Sequence, residues 1–168
     1  MICVVDYSCG NLNSIKNAIN RLNFQCEISN DPKIISKSDK IILPGVGAFS
    51  AAIKKLKKNK LDTILSEEVL NKKKPILGIC LGFQLMFSES YEFEKTKGLN
   101  WINGSVTKID SDIRLPHNGW NTIKILKENE LIESKVENFF YFNHSLSVKN
   151  NDDNFEVLGK TFYGEEFI

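Results

Sequence analysis

The fold is decided by the stretch Pro75-Ile76-Leu77-Gly78-Ile79-Cys80-Leu81-Gly82-Phe83-Gln84-Leu85-Met86-Phe87. The apolar run before Cys80 predicts a buried strand, and the spacing of apolar residues after it predicts a helix. The pattern Gly78-x-Cys80-x-Gly82 supplies the small neighbours that a sharp strand-to-helix turn needs, as in a nucleophile elbow. Free N–H groups at the start of the helix would favour a thiolate, the reactive form of cysteine. We therefore expect Cys80 to be a nucleophile, and the alternative is a buried core cysteine.

The first half of the chain alternates strands with helices. Apolar runs predict strands at Ile2–Val5, Lys40–Leu43 and the residues before Cys80, and a further strand is expected at Gln25–Ser29. Helices are expected after a cap at Asn13 or Ser14, at Asp31-Pro32, and over Ala48–Leu56 and Leu61–Leu70. This alternation indicates an α/β domain with a mainly parallel sheet flanked by helices.

The second half has a different pattern, typical of antiparallel strands. Glu89–Gly98 is polar and is predicted to be a loop. Strand-like pieces follow at Ser105–Ile109, Thr122–Leu126, Phe139–Phe142 and Phe155–Phe162, with turns predicted at Pro116–Gly119 and Asn150–Asn154. We expect antiparallel additions to one side of the sheet, within a single domain over residues 1–168.

Composition excludes several classes of function. The net charge of the 168 residues is +1, which indicates no nucleic-acid or membrane-surface partner. No stretch has a transmembrane length, and Met1–Asp6 lacks the basic region of a signal peptide. The four cysteines form no C-x-x-C pair. We expect a cytoplasmic protein with free thiols and no metal.

Pro44-Gly45-Val46-Gly47 follows a predicted parallel strand, so it lies at the same edge of the sheet as Cys80. Ligands bind at that edge in open α/β sheets. The glycines allow backbone N–H groups to approach a substrate, as stabilisation of an oxyanion requires. The alternative is a plain strand-to-helix turn.

Two further segments carry candidate functional residues. In Leu115-Pro116-His117-Asn118-Gly119-Trp120-Asn121, a tryptophan in a polar loop is a plausible interface anchor, or else it covers the edge of the core. In Tyr141-Phe142-Asn143-His144-Ser145-Leu146, His144 is either functional or a hydrogen-bonded core histidine.

Together these motifs resemble the class I glutamine amidotransferases. Gly78-Ile79-Cys80-Leu81-Gly82-x-Gln84 is similar to their nucleophile motif, and Pro44–Gly47 to their oxyanion segment. The opening Asp6-Tyr7-x-x-Gly10-Asn11 and the His117 and His144 segments resemble one branch of the family, the glutaminase subunits of imidazole glycerol phosphate synthases.

The resemblance implies a role for each matching residue. Cys80 is the nucleophile. The oxyanion and substrate would be bound by Gly45, Val46, Gly47, Leu81, Gly82, Gln84, His144, Ser145 and Leu146, with Leu81 donating its backbone N–H and the His144 segment acting through its backbone. The partner subunit would be contacted by Asn11, His117, Trp120 and Asn121. No metal or organic cofactor is implied.

The chain departs from the family's pattern at several positions. Leu146 replaces a tyrosine, and Asn118 stands where an apolar residue is expected. The family supplies its general base from a late His-Pro-Glu motif, whereas His117 and His144 are the histidines of this sequence and neither precedes Pro-Glu. We interpret the sequence as truncated before that motif and the last strands. We expect the 168 residues to be inactive alone, and unstable or with exposed apolar surface.

The function implied by the resemblance is hydrolysis of L-glutamine by Cys80. The ammonia would pass to a β/α-barrel cyclase subunit that makes imidazole glycerol phosphate and an aminoimidazole carboxamide ribotide in histidine biosynthesis. The alternatives are a glutaminase for another acceptor, such as a sugar, a non-catalytic scaffold subunit, and a cysteine hydrolase or redox sensor.

Overall fold

The computed structural model describes residues 1–110, 112–132, 138–150 and 156–168. Its helices are α1 (Leu12–Arg21), α2 (Pro32–Lys37), α3 (Phe49–Lys58), α4 (Leu61–Ser66), which continues into a π-helical turn (Glu67–Asn71), and α5 (Leu81–Gln84). The strands of the first half are β1 (Ile2–Val5), β2 (Cys26–Ser29), β3 (Lys40–Leu43) and β4 (Ile76–Gly78). The second half contains β5 (Phe87–Ser90), β6 (Thr96–Lys97), β7 (Ile102–Lys108), β8 (His117–Thr122), β9 (Lys124–Ile125), β10 (Phe139–His144), β11 (Leu146–Asn150), β12 (Gly159–Tyr163) and β13 (Glu165–Phe167).

The first half forms the predicted parallel sheet, with strand order β2-β1-β3-β4. Alternate residues of each strand enter different clusters, as the pleat requires. Val5 and Leu43 pack with α2, α3 and α4 in the main core, whereas Val4 and Ile42 pack against Ile19 of α1. The two central strands, β1 and β3, are therefore covered on both faces, which explains why they are apolar runs.

The strand that leads to Cys80 lies at the edge of this sheet. β4 pairs with β3 on one side. Leu77 is 50% exposed and Ile79 is 37% exposed. The strand predicted to be buried before Cys80 is therefore partly exposed among the described residues, and the expectation that the 168 residues are unstable or expose apolar surface stays a prediction.

The second half contains the expected antiparallel strands, arranged in sheets of their own. β8 and β10 form a ribbon, and β12 pairs with β9 and β13. A mixed sheet has the order β11-β7-β5-β6, in which β5 and β7 are parallel. These strands do not extend the parallel sheet within the described residues.

Several local predictions for the second half are wrong. Glu89–Gly98 contains the end of β5 and all of β6, because β5 pairs antiparallel with β6 and parallel with β7. The turn predicted at Pro116–Gly119 is instead the start of β8, which pairs with β10 from His117 onwards. The turn predicted at Asn150–Asn154 lies outside the described residues apart from Asn150, the last residue of β11.

Predictions of helix starts have mixed outcomes. Asp31 caps α2 as expected, since its side chain accepts a hydrogen bond from the Lys33 N–H at 2.8 Å. The cap predicted at Asn13 or Ser14 is wrong, because α1 begins at Leu12 and its cap is Asn11, whose side chain makes no capping bond. Among the helices of the described ranges, none is both long and apolar enough to cross a membrane.

A buried carboxylate joins α2 to the segment before β4. Glu68 is 2% exposed and forms ion pairs with Lys72 at 2.7 Å and Lys74 at 2.8 Å. It also accepts a hydrogen bond from Ser36 at 2.6 Å. Lys74 donates in addition to the carbonyl oxygens of Ile35 and Ser36. Burial alone would raise the pKa of Glu68, but these partners outweigh it and lower the pKa to about 2.

We predict that Glu68→Gln lowers the free energy of unfolding by about 3 kcal/mol, because it leaves the buried Lys74 ammonium without its counter-charge. Lys72→Ala is the matched control, since Lys72 is half exposed and its removal should cost less than about 1 kcal/mol. Urea unfolding followed by circular dichroism measures both values. Equal losses in the two variants would contradict the role given to the buried pair.

The same carboxylate predicts a pH dependence of stability. Its native pKa lies below the ordinary value of 4.5, so the stabilisation is complete above pH 4.5 and is lost as the pH falls towards about 2. Glu68→Gln should therefore flatten the decline of stability over that window, measured as the urea midpoint at each pH.

Candidate active site

Cys80 occupies a strained turn between β4 and α5. Its backbone has φ +52° and ψ −114°, a region that residues other than glycine rarely adopt. The side chain is exposed, in contrast to Cys3, which is fully buried. The alternative of a core cysteine therefore does not describe Cys80. The structure places its sulfur where a nucleophile elbow would hold it.

The helix after Cys80 is shorter than the sequence predicts. α5 ends at Gln84, and Phe87 already belongs to β5. A single turn sums few peptide dipoles, so the expected dipole effect on the sulfur is small. The group that remains to favour a thiolate is the backbone N–H of Leu81, which donates to no acceptor among the described residues.

The Pro44–Gly47 segment lies directly against the elbow, as predicted. A Cβ atom on Gly82 would lie 1.8 Å from the carbonyl oxygen of Leu43, and one on Gly45 would lie 2.8 Å from the Gly82 nitrogen. Only glycine permits these backbones to approach so closely. The buried Tyr7 hydroxyl fixes the segment from behind by donating to the Pro44 carbonyl at 2.6 Å.

A cleft of about 350 Å³ opens beside the Cys80 sulfur. The predicted site residues that line it are Val46, Gly47, Cys80, Leu81, Gln84, His144, Ser145 and Leu146. In the part of the chain that the structure describes, the N–H groups of Val46 and Gly47 donate to no acceptor. The cleft therefore presents backbone donors from two segments next to one thiol. Gly45 and Gly82 are buried behind this surface, where their role is to allow the contact.

The far side of the cleft is a corner formed by residues 143–146, where β10 ends and β11 begins. The Gln84 amide donates to the Leu146 carbonyl at 3.3 Å, and the His144 Nδ1 lies 2.8 Å from the same oxygen. The Ile109 N–H donates to the Ser145 carbonyl at 3.0 Å. Leu146 itself packs against the main core, so its replacement of an aromatic residue leaves the backbone in place.

A second cavity, of about 240 Å³, reaches Cys80 from another side. It shares Gln84 and His144 with the cleft, but most of its other lining is apolar and includes Phe83, Phe142 and Phe167. A polar substrate is therefore better matched by the first cleft.

The residues predicted to contact a partner fall into two groups. Trp120 is 72% exposed and lies edge-on to Tyr141, which is its direct partner in the β8–β10 ribbon. Asn11 is also exposed. The other two side chains are engaged within the chain, and their contact with a partner stays a prediction. His117 is buried between aromatic rings, and the Asn121 amide is bonded to His117 and to the Phe162 carbonyl.

Two residues of the site were missed by sequence reasoning. Glu92 lines the cleft, and its carboxylate accepts a hydrogen bond from the Phe49 N–H at 2.7 Å, at the start of α3. It lies in a polar stretch that carries no local signal of function. Tyr7 belongs to the opening motif, but its bond to Pro44 depends on a contact between distant segments. No group of three or more His, Cys, Asp or Glu suited to a metal ion was found among the described residues.

We predict that Gly82→Ala lowers the free energy of unfolding by about 3 kcal/mol or more, because the new methyl group collides with the Leu43 carbonyl. Gly47→Ala is the matched control. No atom lies within 4 Å of its new methyl group, but its φ of +95° should cost about 1–2 kcal/mol in strain. Urea unfolding measures both, and equal costs would show that the contact at Gly82 is not tight.

Comparisons with known proteins agree with this geometry. The family model for class I glutamine amidotransferases matches residues 3–168. The imidazole glycerol phosphate synthase subunit HisH 2 of Vibrio vulnificus is 48% identical over 151 residues, covering 88% of this chain and 71% of that protein. The subunit HisH of Aquifex aeolicus is 41% identical over 167 residues, covering 98% of this chain and 80% of that protein.

Solved structures give the same fold at low identity. A crystal structure of a glutamine amidotransferase has a TM-score of 0.76 at 14% identity, covering 95% of this chain and 80% of that one. A putative GMP synthase subunit from Thermoplasma acidophilum has a TM-score of 0.65 at 19% identity, with coverages of 95% and 72%. From the match of the family model and the identity of its relatives, the chain belongs to the class I glutamine amidotransferase family.

Proposed function

We propose that this chain hydrolyses glutamine to glutamate and ammonia, as the glutaminase subunit of an imidazole glycerol phosphate synthase. The observation that carries the proposal is one cleft that combines an exposed, strained Cys80 with the N–H groups of Val46, Gly47 and Leu81, which find no acceptor among the described residues. The names of the relatives are the reason for proposing this particular synthase.

In the proposed reaction, the Cys80 sulfur attacks the carbon of the glutamine carboxamide. The carbonyl π electrons move to the oxygen, and N–H groups of Leu81 and the 46–47 segment stabilise the oxyanion that forms. The C–N bond then breaks, the nitrogen takes a proton and leaves as ammonia, and a thioester remains. Water attacks the thioester, which releases glutamate and returns the thiol.

The other end of glutamine carries an ammonium and a carboxylate. Among the described residues that line the cleft, Glu92 is the acidic one, and its carboxylate is suited to the substrate ammonium. The backbone of the 143–146 corner lies across the cleft and would hold the carboxylate end. This arrangement orients the carboxamide towards Cys80.

We propose further that these 168 residues are inactive as a glutaminase when alone. Both steps need a proton carrier beside the sulfur. The His144 ring has Nδ1 against the Leu146 carbonyl and Nε2 against His117, and the His117 ring is bonded to His144 and Asn121. Neither ring has a nitrogen free for Cys80, and the sequence contains no His-Pro-Glu motif.

The proposed partner is a cyclase subunit in the cytoplasm that consumes the ammonia. The exposed face of the β8–β10 ribbon carries Trp120, Phe139 and Tyr141, which are enriched types at interface hot spots. Asn118 also lies on this face and accepts a hydrogen bond from the Tyr141 hydroxyl at 2.6 Å. Asn118, in place of the apolar residue of the family's pattern, is therefore part of this surface. Its presence does not favour a glutaminase for a sugar acceptor.

We predict that glutamine protects Cys80 from alkylation by iodoacetamide, with at least about a tenfold fall in rate at saturation, because the bound substrate covers the sulfur. Mass spectrometry of the labelled peptides measures each cysteine separately. Cys9 and Cys26 are partly exposed and serve as internal controls whose rates should not change.

A Cys80→Ala variant should lose the protected label and any glutamine hydrolysis together. Labelling of Cys80 that glutamine leaves unchanged would contradict the proposal and would favour a cysteine hydrolase or redox sensor of similar fold.

For the partner, we predict that Trp120→Ala weakens binding to the cyclase subunit encoded with this chain by about tenfold or more. Phe93→Ala is the matched control, since Phe93 is 82% exposed and lies outside the ribbon. Titration calorimetry measures both dissociation constants. Equal effects would remove the ribbon from the proposed interface.

A further inference from the structure

Four residues form a continuous chain of hydrogen bonds that ends at the substrate cleft. The Asn121 Nδ2 lies 3.2 Å from the His117 Nε2, and the His117 Nδ1 lies 3.0 Å from the His144 Nε2. The His144 Nδ1 then lies 2.8 Å from the Leu146 carbonyl oxygen. The predicted interface residues His117 and Asn121 are thus connected to the predicted substrate-binding residues.

The partners at both ends fix the positions of the protons. The Leu146 oxygen can only accept, so the His144 Nδ1 carries a hydrogen. At the other end, the Asn121 Nδ2 also donates to the Phe162 carbonyl at 3.0 Å, and its Oδ1 accepts from the Thr122 N–H at 2.8 Å. The amide nitrogen therefore faces His117 and donates to its Nε2.

With both ends fixed, every link is satisfied when both rings are neutral. The His117 Nδ1 donates to the His144 Nε2, and each ring uses one nitrogen as donor and the other as acceptor. A proton added to His144 would place two N–H groups face to face. A proton added to His117 would point at the Asn121 amide hydrogens. Protonation of either ring therefore breaks one link.

The surroundings of His117 favour its neutral form. The ring is 3% exposed and stacks between Phe142 at 4.5 Å and Tyr163 at 4.2 Å. Burial, and next the neighbouring His144, lower the pKa of His117 below its ordinary value. The titratable groups that face this ring among the described residues are His144 and Tyr163, whose hydroxyl donates to the Arg114 carbonyl.

The chain of hydrogen bonds acts at a corner where strand pairing is interrupted at Ser145. β10 pairs with β8, whereas β11 pairs with β7 in another sheet, so the polypeptide passes from one sheet to the other at Ser145. Asn143 and His144 pair with β8, and Leu146 pairs with β7. Further bonds at the change of sheets fix the position of this corner relative to Cys80. These are the bonds to the Leu146 carbonyl from His144 and Gln84, and the bond to the Ser145 carbonyl from Ile109.

We propose that His117 and His144 are positioning residues, which hold the 143–146 corner in its substrate-binding shape through this directed chain of hydrogen bonds. The inference rests on the proposed function, since glutamine is the substrate that the corner would bind. It assigns His117 a role in substrate affinity in place of one at the partner surface. It also makes that affinity sensitive to acid.

The first test measures the proton positions directly, without substrate. Nitrogen NMR of the imidazole rings at about pH 7.5 should show both histidines as the Nδ1–H tautomer. A ring in the Nε2–H form would overturn the proposal, whatever the outcome of any glutamine experiment.

The second test measures the glutamine concentration that half-protects Cys80 from iodoacetamide, between about pH 7.5 and pH 5.5. Comparing rates with and without glutamine at each pH cancels the effect of pH on the alkylation reaction itself. The half-protecting concentration should be constant at the upper end and rise by about tenfold as the pH falls below 6.5, the ordinary pKa of histidine. An unchanged value would overturn the proposal.

Two variants separate this effect from any effect of Glu92, which shares the cleft. His117→Phe keeps the aromatic stack but removes both nitrogens, so glutamine should bind about tenfold more weakly at pH 7.5. His117→Asn places an amide N–H near the position of Nδ1 and should recover part of the affinity, with a shallower pH dependence.

A His117→Phe variant with wild-type affinity and pH profile would refute the positioning role. Should the variant fail to fold, the wild-type profile and the tautomers still decide the question. Absence of any protection by glutamine in the wild-type protein would refute the proposed function, while the NMR result would still test the chain of hydrogen bonds.

Discussion

The close approach of Gly82 to the Leu43 carbonyl is the constraint on which the site depends. Parallel pairing of β3 and β4 brings both strand ends to the same edge of the sheet. That pairing alone would leave the turns after β3 and β4 separated by the width of a side chain. With Gly45 and Gly82 in contact, the backbones meet instead, and the donors of the 46–47 segment come beside the Cys80 sulfur. The proposed nucleophile and its proposed oxyanion donors thus depend on one backbone contact.

This part of the structure could be predicted because its determinants are local. A strand buried on both faces must be an apolar run, so β1 and β3 are evident from Ile2–Val5 and Lys40–Leu43. A turn that meets another backbone needs glycine at fixed positions, which identifies the elbow around Cys80. Both signals lie within a few residues of the feature they encode. The exposure of Cys80 follows from the same turn.

The second half could not be predicted as well, because its elements depend on distant partners. His117–Gly119 has the residue types of a turn, yet pairing with β10 makes it a strand. The same pairing places the His117 ring inside, between Phe142 and Tyr163, where no sequence pattern announces it. Glu92 reaches the cleft through the Phe49 N–H, a contact between residues 43 positions apart. The family resemblance located these segments but not the direction of their side chains.

The two halves of the chain supply different parts of the site, and this limits the roles that the histidines can have. The parallel sheet supplies the sulfur and the proposed oxyanion donors, whereas the antiparallel ribbon supplies the corner that would hold the ends of the substrate. At this change of sheets, side chains add bonds that hold the corner. His144 provides one of them, with its Nδ1 bonded to the Leu146 carbonyl and its Nε2 bonded to His117. A histidine engaged in this way cannot also move protons at Cys80, since each transfer would break the bonds that fix the corner. Positioning of substrate and proton transfer therefore require different residues in this architecture.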